Sequence, residues 1–169
     1  MSQRLNPNGL PTVLFLGWGR AGKDEAAAYV ASRTRLRYGG STSWAALPHM
    51  ASFLGLHPQV AWETRHTRRQ LWKDELDRLR ISDQCYLARR VLEQGEVTAG
   101  LRDKVEVEAV RAAQLFDHII WIHRPGVPAD PTVTFTSRDC DDIIHNVGTL
   151  EEFHQTLDTF IFRWNLPLK

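Results

Sequence analysis

The sequence is poor in cysteine and has no long apolar run, and both features narrow the class of protein. Its 169 residues include 2 cysteines, Cys85 and Cys140, without a C-x-x-C spacing, so we expect reduced thiols rather than a disulfide framework. No apolar run approaches the roughly 20 residues that cross a bilayer. Residues 1–9 also lack the apolar centre of a signal peptide. We therefore expect a cytoplasmic protein without a membrane partner.

Zinc-ligand spacings, internal repeats and low-complexity tracts are also absent from the sequence. The length predicts one domain, residues 1–169, that is large enough to bury a core. The net charge of +1 is unevenly spread, because residues 1–92 hold 14 Lys/Arg against 7 Asp/Glu (+7) and residues 93–169 hold 7 against 13 (−6). This asymmetry indicates a face for a polyanion, unless the two halves interleave in space and neutralise each other.

Residues 17–24, Gly-Trp-Gly-Arg-Ala-Gly-Lys-Asp, form the most informative segment. They fit the pattern G-x-x-x-x-G-K-[ST] except at the last place, where Asp24 stands. The apolar residues 12–16 predict a strand before this segment, and residues 25–30 predict a helix after it. A turn of this kind directs backbone N–H groups and the positive end of the helix dipole at a phosphate. The segment therefore predicts a nucleoside triphosphate site, the alternative being a glycine-rich turn without a ligand.

The expected cofactors are ATP and Mg²⁺, and Lys23 and Asp24 are candidate catalytic residues. Lys23 has the length to reach the outer phosphates, whereas Asp24 supplies an anionic oxygen that Mg²⁺ accepts, directly or through water. The alternative for Asp24 is a favourable charge at the helix N-terminus only. The candidate ATP-binding residues are Gly17, Gly19, Arg20, Ala21, Gly22, Lys23, Asp24 and Glu25.

Further along the chain, predicted strands alternate with predicted helices. The second strand is expected at 35–40, and later strands at 96–100, 117–123 and 142–146. Between the second and third strands we expect an apolar helix within 44–60 that is followed by a loop around Pro58, an amphipathic helix over 61–80 and another helix over 83–94. The pattern predicts an α/β fold: a P-loop kinase-like parallel sheet with helices on both faces and a helical acceptor-binding insertion at about 44–94.

This layout favours a kinase among the proteins that carry such a loop. GTPases need a base-reading N-K-x-D, which is absent, and motor ATPases usually carry an apolar run that ends in Asp or Asp-Glu. In small-molecule and nucleotide kinases a helical insertion after the second strand holds the acceptor. The main non-catalytic alternative is an adaptor that binds ATP without transferring phosphate.

The loop resembles the G-x-x-x-S-G-K-D loop of phage deoxynucleoside monophosphate kinases, which also place Asp after the lysine. This chain has Ala21 for the usual Ser and Glu25 for the usual Thr. Residues 97–102, with Glu106 or Glu108 after them, are similar to the strand, Arg and Glu element of that family. Residues 142–150 are similar to its last strand, Asn and helix start, which implies that Asn146 lies near the adenine pocket.

The chain also looks like the related phage P-loop kinases that phosphorylate the hydroxymethyl group of 5-hydroxymethyluracil within DNA. The resemblance implies a role in thymidine hypermodification, which protects phage DNA from host restriction, and a location in the host cytoplasm. The charge asymmetry and the unusual acceptor segment favour this DNA-base kinase. The alternative is a deoxynucleoside monophosphate kinase that makes diphosphates. A lid of the monophosphate kinase type is not evident, unless Arg124 to Asp130 form one.

On the acceptor side we expect five contact residues, Ser41, Thr42, Ser43, Arg65 and Arg69. The alternative for the two serines and the threonine is that they cap a helix. The alternative for the two arginines is that, together with Arg68, they form a solvated helix face. The same segment contains Trp44, Trp62 and Trp72, which we expect in the core, with stacking on a base as the alternative.

Arg102 follows a predicted strand and is the third candidate catalytic residue. There it would face the ligand crevice of an open α/β sheet and neutralise the transferred phosphoryl group, the alternative being a surface arginine. The neighbouring Asp103 is expected to cap a helix. Three carboxylates, Glu63, Asp103 and Asp24, remain candidates for the base that accepts the proton of the acceptor hydroxyl.

Overall fold

The computed structural model describes residues 8–169, so most of the N-terminal segment interpreted above lies outside the described residues. The strands are β1 (Val13–Leu16), β2 (Tyr38–Ser41), β3 (Val97–Ala99), β4 (His118–His123) and β5 (Asp142–His145). The helices are α1 (Lys23–Arg33), α2 (Thr42–Ala45), α3 (Leu47–Leu54), α4 (Pro58–Glu63), α5 (Arg69–Ser82), α6 (Tyr86–Gln94), α7 (Lys104–Ala112) and α8 (Leu150–Arg163). Short 3-10 helices occupy Arg65–Arg68 and Ser137–Asp139.

All five strands are parallel, in the order β2-β3-β1-β4-β5. The central strand β1 is fully buried along its length, and it pairs with β3 and β4, so that Val13 lies opposite both Val97 and His118. Burial on both faces explains why β1 is a continuous apolar run without alternation. The carboxyl ends of the five strands share one edge of the sheet, called the carboxyl edge below.

Helices cover both faces of this sheet, as predicted. Val13 and Phe15 point to one face and pack with apolar residues of α1 and α8. Leu14 and Leu16 point to the other face and pack with residues of α6 and α7. The alternation along one short strand therefore divides the core into two layers. The prediction of an α/β fold with a parallel sheet is confirmed.

Residues 42–94 hold helices α2 to α6 between β2 and β3, and we call them the helical segment. Its helices share a smaller core, which includes Met50, Ala61 and Trp72. The apolar helix expected within 44–60 is α3, which Gly55 ends in a left-handed conformation, but the loop expected around Pro58 is wrong, because Pro58 starts α4. The helix expected over 61–80 begins only at Arg69, after a 3-10 turn.

Within residues 8–169 no helix combines the length and the apolar character that crossing a bilayer requires. Both cysteines are free. Burial raises the pKa of both thiols, and that of Cys140 rises to about 12. Because the thiolate is the reactive form, these pKa shifts argue against a nucleophilic cysteine.

A buried ion pair connects the helical segment to the body of the domain. Glu106, in the first turn of α7, is fully buried, and Nε of Arg80 in α5 lies 2.6 Å from its Oε2. The pair lacks a well-aligned hydrogen bond, and burial outweighs the attraction of Arg80, raising the pKa of Glu106 to about 7. Glu106 therefore supports packing between α5 and α7.

The substitution Glu106→Gln should flatten the pH dependence of stability. The folded pKa of Glu106, about 7, exceeds its usual value of 4.5, so the folded protein binds this proton more tightly than the unfolded chain. That stabilisation is complete below pH 4.5 and is lost as the pH rises through 7. The difference between the two pKa values corresponds to about 3 kcal/mol of stabilisation by proton binding at low pH.

Urea unfolding at pH 5 and pH 8 measures this effect. We expect wild type to lose more stability than Glu106→Gln between the two values. The matched control is Glu108→Gln, because Glu108 lies on the same helix and is exposed. An equal loss of stability in wild type and Glu106→Gln would contradict the assignment.

Candidate functional site

Residues 17–22 turn from β1 into α1 at the carboxyl edge. Gly17 and Gly22 have φ angles of 152° and 103°, and Arg20 is also in the left-handed region at 65°. A Cβ atom at Gly17 would lie 2.6 Å from the carbonyl oxygen of Ile122, and one at Gly22 would lie 2.7 Å from Nδ2 of Asn146. Glycine is therefore required at both positions by conformation and by close packing.

The N-terminus of α1 opens directly from this turn. Gly22 is its N-cap and, among the described residues, no side chain caps the helix, so none of them satisfies the N–H groups of the first turn by capping. Together with the helix dipole, these groups favour an anion beside the turn. A side chain that follows β5 stabilises the turn: Asn146 Nδ2 donates a hydrogen bond of 2.9 Å to the carbonyl oxygen of Ala21. Asn146 is thus a support for the loop.

The side chain of Lys23 folds back over the turn. Its Nζ donates a hydrogen bond of 3.0 Å to the carbonyl oxygen of Trp18, and it forms no ion pair within residues 8–169. Burial lowers the pKa of Lys23, and the positive charge of Arg102 lowers it further, against the opposing effects of Asp24 and Asp130. An anion bound here would stabilise the charged form of Lys23.

Asp24 lies exposed in the first turn of α1. The hydroxyl group of Tyr38, in β2, donates a long hydrogen bond of 3.4 Å to its Oδ1. Burial, followed by the charge of Asp24, raises the pKa of Tyr38 to about 12. The carboxylate of Asp24 fits Mg²⁺, which commonly takes one or two carboxylates together with phosphate oxygens and water. Among the described residues no group of three or more His, Cys, Asp or Glu side chains forms a metal cluster.

Glu25 differs from the other loop residues, because its side chain is directed to α8. Its Oε1 lies 2.6 Å from Nε2 of His154, whose ring stacks on Tyr29 at 4.0 Å between centroids. The side chain of Glu25 therefore has a partner in α8, and its backbone belongs to the first turn of α1.

Arg102 lies just beyond β3, at the same edge as Lys23. Its Nη1 donates a hydrogen bond of 2.6 Å to Oγ1 of Thr132, and its positive charge lowers the pKa of Lys23. The adjacent Asp103 is the N-cap of α7 and accepts a hydrogen bond of 3.1 Å from the backbone N–H of Val105. The helix-cap interpretation of Asp103 is confirmed.

Asp130 is the residue that sequence reasoning did not assign to the site. Its Oδ2 lies 3.6 Å from the place a Cβ atom would take at Gly19. Hydrogen bonds from Thr132 lower its pKa, and the charges of Arg102 and Lys23 lower it further. In the sequence, the one indication of a role for Asp130 is its place at the end of the possible lid, because this loop has no motif and no hydrophobic periodicity.

The residues expected to hold the acceptor have different environments. Ser41 caps α2 by accepting a hydrogen bond of 3.2 Å from the backbone N–H of Trp44. Thr42 Oγ1 donates a hydrogen bond of 3.3 Å to the carbonyl oxygen of Gly100, which places it beside the end of β3. Ser43 lies half-buried in the first turn of α2. Thr42 is thus the one tied by a hydrogen bond to the strand end that precedes Arg102.

Three side chains form a continuous row that starts beside β2, and we call Trp44, Trp62 and Arg65 the aromatic row. The rings of Trp44 and Trp62 meet edge to face at 4.9 Å, and the guanidinium group of Arg65 lies 3.8 Å from the centroid of Trp62. Trp72 is buried, as predicted, but the expectation that Trp44 is core is wrong, since it is 50% exposed. The row presents aromatic and cationic surface to solvent.

Arg65, Arg68 and Arg69 form an arginine cluster that is distinct from the other basic side chains of the helical segment. None of the three forms an ion pair within residues 8–169, whereas the other basic residues of this segment do: Lys73, Arg78, Arg80, Arg89 and Arg90. In the described chain, no hydrogen bond or ion pair links Arg65 or Arg69 to residues 17–25. The cluster is therefore a separate cationic surface.

The three candidates for the base have unequal positions. Glu63 ends α4 and accepts a hydrogen bond of 2.9 Å from Gln59, and Asp103 is engaged as a helix cap. Asp24 stays beside Lys23. Asp130 is a further carboxylate beside the turn, with its Oδ2 3.6 Å from the Cβ position at Gly19.

Comparison of the sequence with protein-family models and with curated proteins gives no match.

Proposed function

We propose that this chain is a P-loop kinase that transfers the γ-phosphate of ATP to a nucleotide-type acceptor. The turn formed by residues 17–24 carries the proposal. It combines a glycine-dependent backbone, a helix N-terminus that no side chain of residues 8–169 caps, and a lysine that forms no ion pair with those residues. These features lie together at the carboxyl edge, where open parallel sheets bind their ligands.

In this proposal the chain acts mainly through position and charge. The N–H groups of the turn hold the β- and γ-phosphates, and Lys23 and Arg102 offset the charge that develops on the transferred phosphoryl group. Asp24 would hold Mg²⁺, which would supply positive charge against that of the phosphates. The placement of these side chains before the reaction reduces the reorganisation that transfer requires.

The acceptor we favour is 5-hydroxymethyluracil within phage DNA. The aromatic row starts two residues after Thr42, beside the strand end that leads to Arg102, and it ends in the arginine cluster. A nucleic-acid strand needs cationic contacts for its phosphates and an aromatic face for an extruded base. The exposed Trp44 and the three arginines, which pair with no carboxylate of residues 8–169, supply both. The reaction would take place in the host cytoplasm and would protect phage DNA from restriction.

The test is incubation of the protein with Mg²⁺ and γ-labelled ATP. The acceptors are DNA that contains 5-hydroxymethyluracil, the same DNA with thymine, and a panel of deoxynucleoside monophosphates. We expect label in the modified DNA alone. Label on a monophosphate would replace the DNA acceptor by a nucleotide and retain the kinase, whereas absence of label from every acceptor would favour an ATP-binding adaptor.

The double substitution of Arg65 and Arg69 by alanine should weaken DNA binding and reduce its salt dependence. Two lost phosphate contacts lower the slope of log K against log salt by about 2. Fluorescence anisotropy with labelled DNA at several salt concentrations measures this slope. The matched control is Arg33→Ala, which removes an exposed arginine that pairs with Asp158 on α8. An unchanged slope in the double variant would place DNA elsewhere.

A further inference from the structure

A chain of hydrogen bonds runs from Arg102 through Thr132 to Asp130. The guanidinium Nη1 of Arg102 donates to Thr132 Oγ1 at 2.6 Å, and the same hydroxyl group donates to Asp130 Oδ1 at 2.6 Å. The backbone N–H of Thr132 also donates to Asp130 Oδ1, at 2.9 Å. One hydroxyl proton and one lone pair satisfy both contacts, so the order Arg102, Thr132, Asp130 is chemically consistent.

The segment that carries Thr132 and Asp130 is fastened to the body of the domain. The backbone N–H of Thr134 donates to the carbonyl oxygen of Arg102 at 3.0 Å, and its Oγ1 accepts from the backbone N–H of Lys104 at 2.7 Å. Phe135 is buried and packs edge to face on Trp121 at 6.0 Å. These contacts make the segment a fixed support.

This support lies at the open side of the turn. The second carboxylate oxygen of Asp130 faces Gly19, and both Asp130 and Arg102 interact electrostatically with Lys23. Arg102 is exposed, and an exposed arginine without a hydrogen bond would sample many rotamers. A hydrogen bond to a fixed hydroxyl group restricts this sampling beside the phosphate position.

We propose that Thr132 and Asp130 are positioning residues that hold Arg102 beside the outermost phosphate of a bound triphosphate. This inference rests on the proposed function, because it assumes that residues 17–24 bind phosphates. Arg102 then contacts a group that a diphosphate lacks, so the positioned guanidinium makes the protein distinguish ATP from ADP. A charge-assisted hydrogen bond of this type corresponds to about a tenfold difference in affinity.

Isothermal titration calorimetry with MgATP and with MgADP tests the inference. For wild type we expect ATP to bind about tenfold more tightly than ADP. Thr132→Val, Asp130→Ala and Arg102→Ala should each lose most of this ratio through weaker ATP binding, with ADP affinity unchanged. Thr132→Ser retains the hydroxyl group and should keep the ratio, which separates a lost hydrogen bond from a general disturbance. Melting temperatures of all variants are measured alongside.

The outcomes distinguish two kinds of failure. Wild type that binds neither nucleotide would overturn the proposed function. Wild type that prefers ATP, with the same preference in Thr132→Val, would overturn the positioning role and leave the phosphate site intact. Equal loss of the ratio in Thr132→Val and Arg102→Ala, without further loss in the double variant, would support a single unit.

Discussion

Replacement of Lys23 by alanine is expected to reduce phosphate transfer by about a thousandfold or more. Lys23 lies over the turn, with its Nζ 3.0 Å from the carbonyl oxygen of Trp18, and its pKa is lowered by burial and by Arg102. Lys23 forms no ion pair within the described part of the chain, and a bound triphosphate would provide one. Loss of the ammonium group therefore removes stabilisation from both the bound phosphates and the transferred phosphoryl group.

The measurement is the initial rate of label transfer from γ-labelled ATP under saturating acceptor. Lys73→Ala is the matched control, because Lys73 is an exposed lysine that forms a surface ion pair with Asp77, and its loss should leave the rate unchanged. Circular dichroism of Lys23→Ala should match that of wild type. A variant that transfers phosphate at the wild-type rate would show that the active site lies elsewhere.

The substitution Gly17→Ala is expected to disrupt the turn and to abolish nucleotide binding. Its Cβ would lie 2.6 Å from a backbone carbonyl oxygen of β4, at a φ angle of 152°. Leu16 of β1 pairs with Trp121 of β4 next to this contact, so a shift of the strand or of the turn would strain the pairing. We expect a loss of about 2–5 kcal/mol in the free energy of unfolding.

Chemical denaturation and ATP titration measure the two effects of Gly17→Ala. Gly126→Ala is the matched control, since Gly126 also has a positive φ angle but has open space around its Cβ position. The control should lose about 1 kcal/mol from backbone strain alone and should still bind ATP. Equal effects in the two variants would show that the contact with Ile122 is unimportant.

Much of the fold could be predicted because its signals are local. The continuous apolar run at 13–16 indicates a strand buried on both faces. At the last helix, the capping box of Thr149 and Glu152 gives the first residue of α8. The helical segment was harder, because Gly55 and Pro58 interrupt an apolar pattern whose periodicity predicts longer helices.

The residues of the candidate site were likewise predicted where their signals are local and missed where they are not. The residues of the turn are consecutive, so their sequence alone predicted the strand, the glycine turn and the helix around Lys23. Asp130 approaches Gly19 only because Thr134 pairs with the backbone of Arg102 and Phe135 enters the core. Such long-range contacts leave no periodic pattern. Trp44 was likewise misplaced, because an aromatic residue at helical spacing indicates apolar character without saying which face is covered.

In the proposed function, the N–H groups of residues 19–24 hold the phosphates of a triphosphate. Two-dimensional ¹H–¹⁵N spectra of the labelled protein, recorded during titration with MgATP, test it most directly. We predict that the largest shifts fall on the backbone amides of Gly19 to Asp24 and saturate at one nucleotide per chain. Shifts confined to other residues, or spectra that do not change at millimolar ATP, would contradict the account.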